Sequence, residues 1–149
     1  MKTYKTFSQK PADVTRTWYV LDASTASFGR IATMAASLLL GKGKPTITPH
    51  TDGGDYVIVI NAGQLQATGG KDTKKIYYRH SGFPGGIYSR TLGEQQEKDV
   101  TKVIYKAVRG MLPNNKLREG RLERLKIYEG AEHNHNAQQP KTIAVKGTK

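Results

Sequence analysis

Few residues in this sequence are placed to do catalytic chemistry. Glycine amides followed by a lysine can cradle a phosphate, and Gly41-Lys42 and Gly70-Lys71 invite that reading. A P-loop, however, needs a glycine five residues before its Gly-Lys pair and a Ser or Thr directly after the lysine. Gly41-Lys42 is followed by Gly43, and Gly70-Lys71 is followed by Asp72 with Leu65 where the first glycine belongs. His50, His80, His133 and His135 match no zinc spacing, and no H-E-x-x-H occurs. His133-Asn134-His135 has the letters of an HNH nuclease, but in such nucleases those letters are spread over a metal-binding scaffold. The absence of cysteine removes thiol nucleophiles, disulfides and cysteine-held zinc together. No Ser, His and Asp set is singled out by spacing as a triad. No catalytic residue, cofactor or metal is expected.

What the chain has in quantity is positive charge. Its 149 residues hold 24 Lys and Arg against 12 Asp and Glu, a net charge of +12. Such an excess points to a polyanion, with nucleic acid first and an anionic membrane second. No stretch reaches the length of a transmembrane helix, and Met1 to Thr17 has no apolar signal region, so a secreted or membrane protein is not expected. A reducing cytosol suits the lack of cysteine.

The cations are clustered. Lys71 to His80 interleaves Lys71, Lys74, Lys75 and Arg79 with Tyr77 and Tyr78 before the glycine-rich Ser81 to Gly86. Basic groups supply phosphate affinity and rings supply stacking surface, a pairing suited to RNA. Lys116, Arg118, Arg121, Arg124 and Lys126 form a second cluster around Leu117, Leu122 and Leu125. The leucines are expected to bury and the cations to remain outside as phosphate binders. Charge reversal at Arg121 and Arg124 is then expected to weaken RNA binding and leave thermal stability nearly unchanged. Lys42, Lys44 and His50 lie in the glycine-containing connection from Gly41 to Asp52, and Arg30 lies off the apolar stripe of its helix. Arg16 ends a basic stretch that also holds Lys2, Lys5 and Lys10, either a phosphate-tracking arm or a solvated terminus. His133 and His135 suit RNA contact or a hydrogen-bonded loop.

These residues need a scaffold, and Tyr56 to Asn61 supplies its centre. This continuous β-branched run between turn signals is a strand covered on both faces, the habit of a parallel sheet. Trp18 to Asp22 predicts a first strand. Phe28, Ile31, Ala32, Ala35, Leu38 and Leu39 make one face of a helix over 28–40, with Ser24, Thr25 or Ser27 to cap it and Gly41 to end it. Strand, helix and strand form a βαβ unit that should cross over right-handedly. Leu65 to Thr68 is a short strand or turn. Thr91 to Glu94 fits a capping box, and Glu94, Glu97 and Asp99 fit the negative starts of helices. Val100, Val103, Ile104, Ala107, Val108 and Met111 stripe a helix ending before Pro113, with Lys102, Lys106 and Arg109 opposite. A short helix then leads to a final strand over 125–128.

With these motifs in hand, the sequence resembles a known family. WYVLDAS with the later FGRIAT, GKGKPTITPHTDGGDYVIVINA, ATGGKDTKKIYYRHSGFPGG, VRGMLPNNKLREGRLERLKIYEG and EHNHNAQQP are similar, in order, to the bacterial large-subunit ribosomal protein L-thirteen family. The likeness runs from about Trp18 to Pro140. Phe28, Gly43 and Arg118-Glu119-Gly120 depart from the family's usual residues. The resemblance implies a three-layer α/β/α domain over 18–140 with a small, mainly parallel sheet. A basic arm over 1–17 and a basic tail over 141–149 would flank it. It also implies no enzymatic activity, no small-molecule substrate, and a place in the large ribosomal subunit, bound to 23S-type RNA early in assembly beside neighbouring ribosomal proteins. The rivals are a non-ribosomal RNA-binding module and an α/β enzyme acting on a phosphorylated ligand. The enzyme would need an acid or base converging on a pocket at the sheet's carboxyl edge.

Overall fold

The structure is a computed structural model that describes residues 6–145; Lys2, Lys5 and the last four residues of the expected tail lie outside them. Its centre is a four-stranded parallel sheet in the order β5-β2-β1-β6. The strands are β1 (Trp18–Asp22), β2 (Tyr56–Ile60), β5 (Leu125–Ile127) and β6 (Lys141–Ile143). Val57, Ile58 and Val59 are fully buried, as an apolar strand inside a parallel sheet requires. A separate antiparallel hairpin joins β3 (Ile76–His80) to β4 (Ile87–Thr91). The molecule thus has the expected α/β class with a mainly parallel sheet.

Chain direction decides which face each connection covers. From β1 to β2 to β5 the chain moves one way across the sheet, and from β5 to β6 it returns. Right-handed crossovers then put the first two connections on one face and the last on the other. On the first face, Leu21, Val57, Val59 and Leu125 share a core with α1 (Phe28–Leu40), α4 (Val100–Met111) and α5 (Arg118–Glu123). On the second, Trp18 stacks on its cross-strand neighbour Tyr56 with centroids 4.2 Å apart, and His135 lies 4.9 Å from Trp18. The connection carrying His135 includes a 3-10 turn at Asn136–Gln138 and is the outer layer there.

The helices begin and end where their sequences provide. Gly41 takes φ +76° at the C-cap of α1, a left-handed conformation natural to glycine. Ser27 stands at the N-cap without a side-chain bond. Thr91 and Glu94 form a reciprocal capping box on α3 (Leu92–Lys98), and Asp99 caps α4 by accepting from the Lys102 amide at 3.1 Å. Glu97 sits instead in the last turn of α3, not at a helix start. Residues 65–68 make only a single bridge, Gln66 to Ser27.

The expected arm and tail are both engaged with the domain. From Ser8 onward the arm is laid along the 50–55 loop. Ser8 Oγ is 3.0 Å from His50 Nε2, Gln9 is buried and its carbonyl accepts from Thr51 Oγ1, and Arg16 Nη2 donates to the Asp52 carbonyl at 3.1 Å. At the other end, Lys141–Ile143 pairs with β1, and Val145, 7% exposed, joins the main core. The start of the segment read as a tail is therefore an edge strand.

Candidate nucleic-acid interface

At the amino edge of the sheet the basic residues point inward. Arg124 is 7% and Arg121 3% exposed. Arg124 donates bidentately to Asp52, Nη1 to Oδ2 at 2.5 Å and Nη2 to Oδ1 at 2.6 Å, and reaches the carbonyls of Gly120 and Leu39 at 3.1 and 3.4 Å. Arg121 Nε lies 3.4 Å from Asp52 Oδ1. Leu39 is in the last turn of α1, where unpaired carbonyls attract a cation. The pocket exists because the 52–55 loop presses on that helix end. A Cβ on Gly54 would stand 1.8 Å from the Leu39 carbonyl oxygen, so no other residue fits. Burial pushes the Asp52 carboxyl up, but the Arg124 and Arg121 guanidiniums outweigh it and hold the carboxyl below its ordinary value.

This corrects the expectation that Arg121 and Arg124 stay outside as phosphate binders. Leu122 and Leu125 do bury and Leu117 is half-buried, but these two cations bury with them, because a carboxylate brought in by the Asp52 loop compensates the loss of water. Lys44 is also drawn in. Its ammonium donates to Asp55 Oδ1 at 2.6 Å and to the carbonyls of Thr15 and Gly53 at 2.8 and 2.9 Å. It therefore ties the arm, the loop and β2 together. Arg118 is half-buried, its Nε 3.6 Å from Glu119, while Lys116 is exposed and Lys126 half-buried on β5.

A different face gathers exposed cations and rings. The one-turn helix α2 (Lys71–Lys74) leads into β3, and Leu92 at the start of α3 donates to the Lys75 carbonyl at 2.9 Å. The hairpin pairs Tyr77 with Arg90 and Arg79 with Tyr88, so these four side chains share one face. That face looks across a cleft of about 820 Å³ toward α3 and α4, which line it with Gln95, Lys98, Lys102 and Lys106. Lys106 Nζ is 4.6 Å and Lys75 Nζ 5.3 Å from the Tyr77 ring centroid, cation–π distances. Half-buried and within cation–π distance of two ammoniums, the Tyr77 ring offers less surface to a base than Tyr78 and Tyr88, which are 67% and 64% exposed.

The other expected RNA-binding residues are scattered around these two regions. Lys71, Lys74, Arg79 and His80 are exposed with the hairpin, and His80 Nδ1 accepts from the Gly82 amide at 2.9 Å within its turn. Lys42 and His50 are exposed on the connection after α1, and Arg30 is exposed on α1 itself. His133 and His135 are half-buried beside Tyr128, His135 edge-on at 6.0 Å, and so pack the second sheet face.

Sequence reasoning missed Tyr88, Arg90 and Lys98, and placed Lys102 and Lys106 opposite the apolar stripe without assigning them a site. The signal was present. Ile87-Tyr88-Ser89-Arg90-Thr91 follows a glycine-rich turn, the pattern of a returning hairpin strand.

At the sheet's carboxyl edge the carboxylate of Asp22 is occupied. It accepts from the Ser24 amide and hydroxyl at 2.9 and 2.7 Å and from Asn61 Nδ2 at 3.0 Å. Burial raises its pKa, but these hydrogen bonds hold it below the ordinary value. Its role is to brace the turn after β1 against β2. Among the described residues, no three acidic or histidine side chains are grouped to hold a metal, and no helix is long and apolar enough to cross a membrane.

Comparison with known proteins supplies the lineage. The family model for ribosomal protein L13 matches residues 16–134. A protein of Mycobacteroides abscessus named large ribosomal subunit protein uL13 is 55% identical over 141 residues, covering 95% of this chain and 96% of that one. Proteins of the same name from Neisseria gonorrhoeae and Cupriavidus taiwanensis are 54% and 51% identical, each covering 95% of this chain and 99% of their own. With the family model and these relatives each spanning most of its length, the chain belongs to the ribosomal protein L13 family.

Proposed function

We propose that this protein is a structural constituent of the large ribosomal subunit that binds large-subunit RNA and supports early subunit assembly in the cytoplasm. Its family gives it a structural, non-enzymatic place in the ribosome. The RNA-binding part of the reading is carried by one observation. The β3–β4 hairpin and the α3–α4 face present exposed arginines, lysines and tyrosines around a single cleft. Arginine and lysine there neutralise phosphates and release counterions, and exposed rings offer stacking surface to unpaired bases. The partners are large-subunit RNA and neighbouring ribosomal proteins.

The test is sedimentation of a tagged copy from cell lysate through a gradient, with its bound RNA cross-linked and sequenced. The expected result is co-migration with the large subunit and cross-links at a few fixed sites in large-subunit RNA. A protein that stays at the top of the gradient, or whose RNA is scattered over many transcripts, is instead a general RNA-binding module.

A further inference from the structure

Phosphate binding leaves part of the hairpin cleft unused. Gln95 lines it and is only 5% exposed. Tyr77, on the same lining, has a buried hydroxyl with no hydrogen-bond partner. Buried polar groups are ordinarily satisfied, so this unmet hydroxyl, on a lining that also carries the Gln95 amide, points to a ligand with donors and acceptors of its own. Tyr88 stands directly across the hairpin from Arg79 and keeps its ring exposed. Arg79, Arg90, Lys102 and Lys106 surround the space. The one carboxylate on the lining, Asp99, is held by Lys102 at 2.6 Å and by Thr101 at 2.6 Å.

We propose that this cleft is a subsite for one unpaired RNA nucleotide, an inference that rests on the RNA-binding reading above. The base stacks on Tyr88, the Gln95 amide pairs with its edge, and its flanking phosphates lie against Arg79, Arg90 and Lys102. A side-chain amide both donates and accepts, as a nucleobase edge does. At about 820 Å³ the cleft is within the roughly 300–1,000 Å³ of sites that enclose small ligands. A duplex keeps its bases stacked inside and offers the cleft only backbone.

The experiment uses the full-length protein and fluorescence anisotropy with three probes. These are a short labelled single-stranded RNA of mixed sequence, the same strand annealed to its complement, and large-subunit RNA. Wild type is expected to favour the single strand over the duplex. Tyr88→Ala should weaken single-strand binding about ten-fold, the order of one base stack removed, and leave duplex binding unchanged. Tyr88→Phe keeps the ring and should bind like wild type; Tyr88 is exposed, so both variants should fold. The subsite is overturned if Tyr88→Ala leaves single-strand binding unchanged, or lowers single-strand and duplex binding alike. If wild type binds large-subunit RNA in either of those cases, the RNA-binding reading survives. If wild type binds none of the three probes, both fail.

Discussion

Asp52 receives two guanidiniums in a site nearly closed to water, and the consequences of that arrangement are measurable. Removing one partner from a buried pair leaves the other charged, unpaired and desolvated, at a cost of about 3–5 kcal/mol. Arg124→Ala and Asp52→Asn should therefore each lower the thermal midpoint by roughly 10 °C, taking about 2–4 °C per kcal/mol for a domain of this size. Calorimetry of the two variants would decide it, and a shift of a degree or two would show that the pair is not the brace described here. The same site sets a pH dependence. The Asp52 carboxyl is held below its ordinary value in the folded protein, so its contribution is present above the unfolded value and is lost as pH falls through the folded one. Unfolding monitored from neutral to acid pH should show stability falling below the ordinary carboxylate range, with a smaller fall in Asp52→Asn. The density of arginine between 116 and 126 was plain in the sequence. The partner of Arg124 was not, because Asp52 lies 72 residues away and meets it only through a close approach that Gly54 permits. A local pattern cannot separate a cation that faces solvent from one matched by a distant carboxylate.

Secondary-structure elements with strong local signals were the most legible part of the chain. The α1 stripe, its Gly41 cap, the capping box at Thr91 and the buried β2 all follow from short-range chemistry, and each stands within a residue or two of where its residues predict. Elements that depend on a distant partner were not. β6 has three residues and no pattern of its own; it is a strand because β1 offers an edge. Removing the residues after Pro140 should expose that edge and withdraw Val145 from the core. The expected loss is about 1–3 kcal/mol, of the order of burying one or two apolar side chains, measurable by urea unfolding. An unchanged unfolding midpoint would mean that the strand adds nothing to stability. For the hairpin and α4, the prediction concerns binding. Lys102 and Lys106 are exposed, so Lys102→Glu with Lys106→Glu should leave the melting temperature within a few degrees and reduce affinity for large-subunit RNA. The slope of log affinity against log salt should become shallower by roughly 0.7–0.9 for each phosphate no longer neutralised. An unaltered slope would take those lysines off the RNA surface.

Taken as a whole, the protein divides its positive charge between two uses. A parallel sheet with helices on one face and the His135 connection on the other gives a rigid body whose amino edge is locked by Lys44, Arg121 and Arg124 against Asp55 and Asp52. The hairpin and the α3–α4 face carry cations that remain open to solvent. The net charge of +12 therefore overstates the binding surface, since part of the positive charge is structural. The most direct test of this division is to cross-link assembled large subunits with ultraviolet light and identify by mass spectrometry which peptides of this protein carry nucleotide. The predicted result is adducts concentrated on the hairpin and the α3–α4 face, within residues 71–106, with none on Arg121 or Arg124. Adducts centred on residues 116–126, with the hairpin unmarked, would contradict it and return the RNA surface to the amino edge of the sheet.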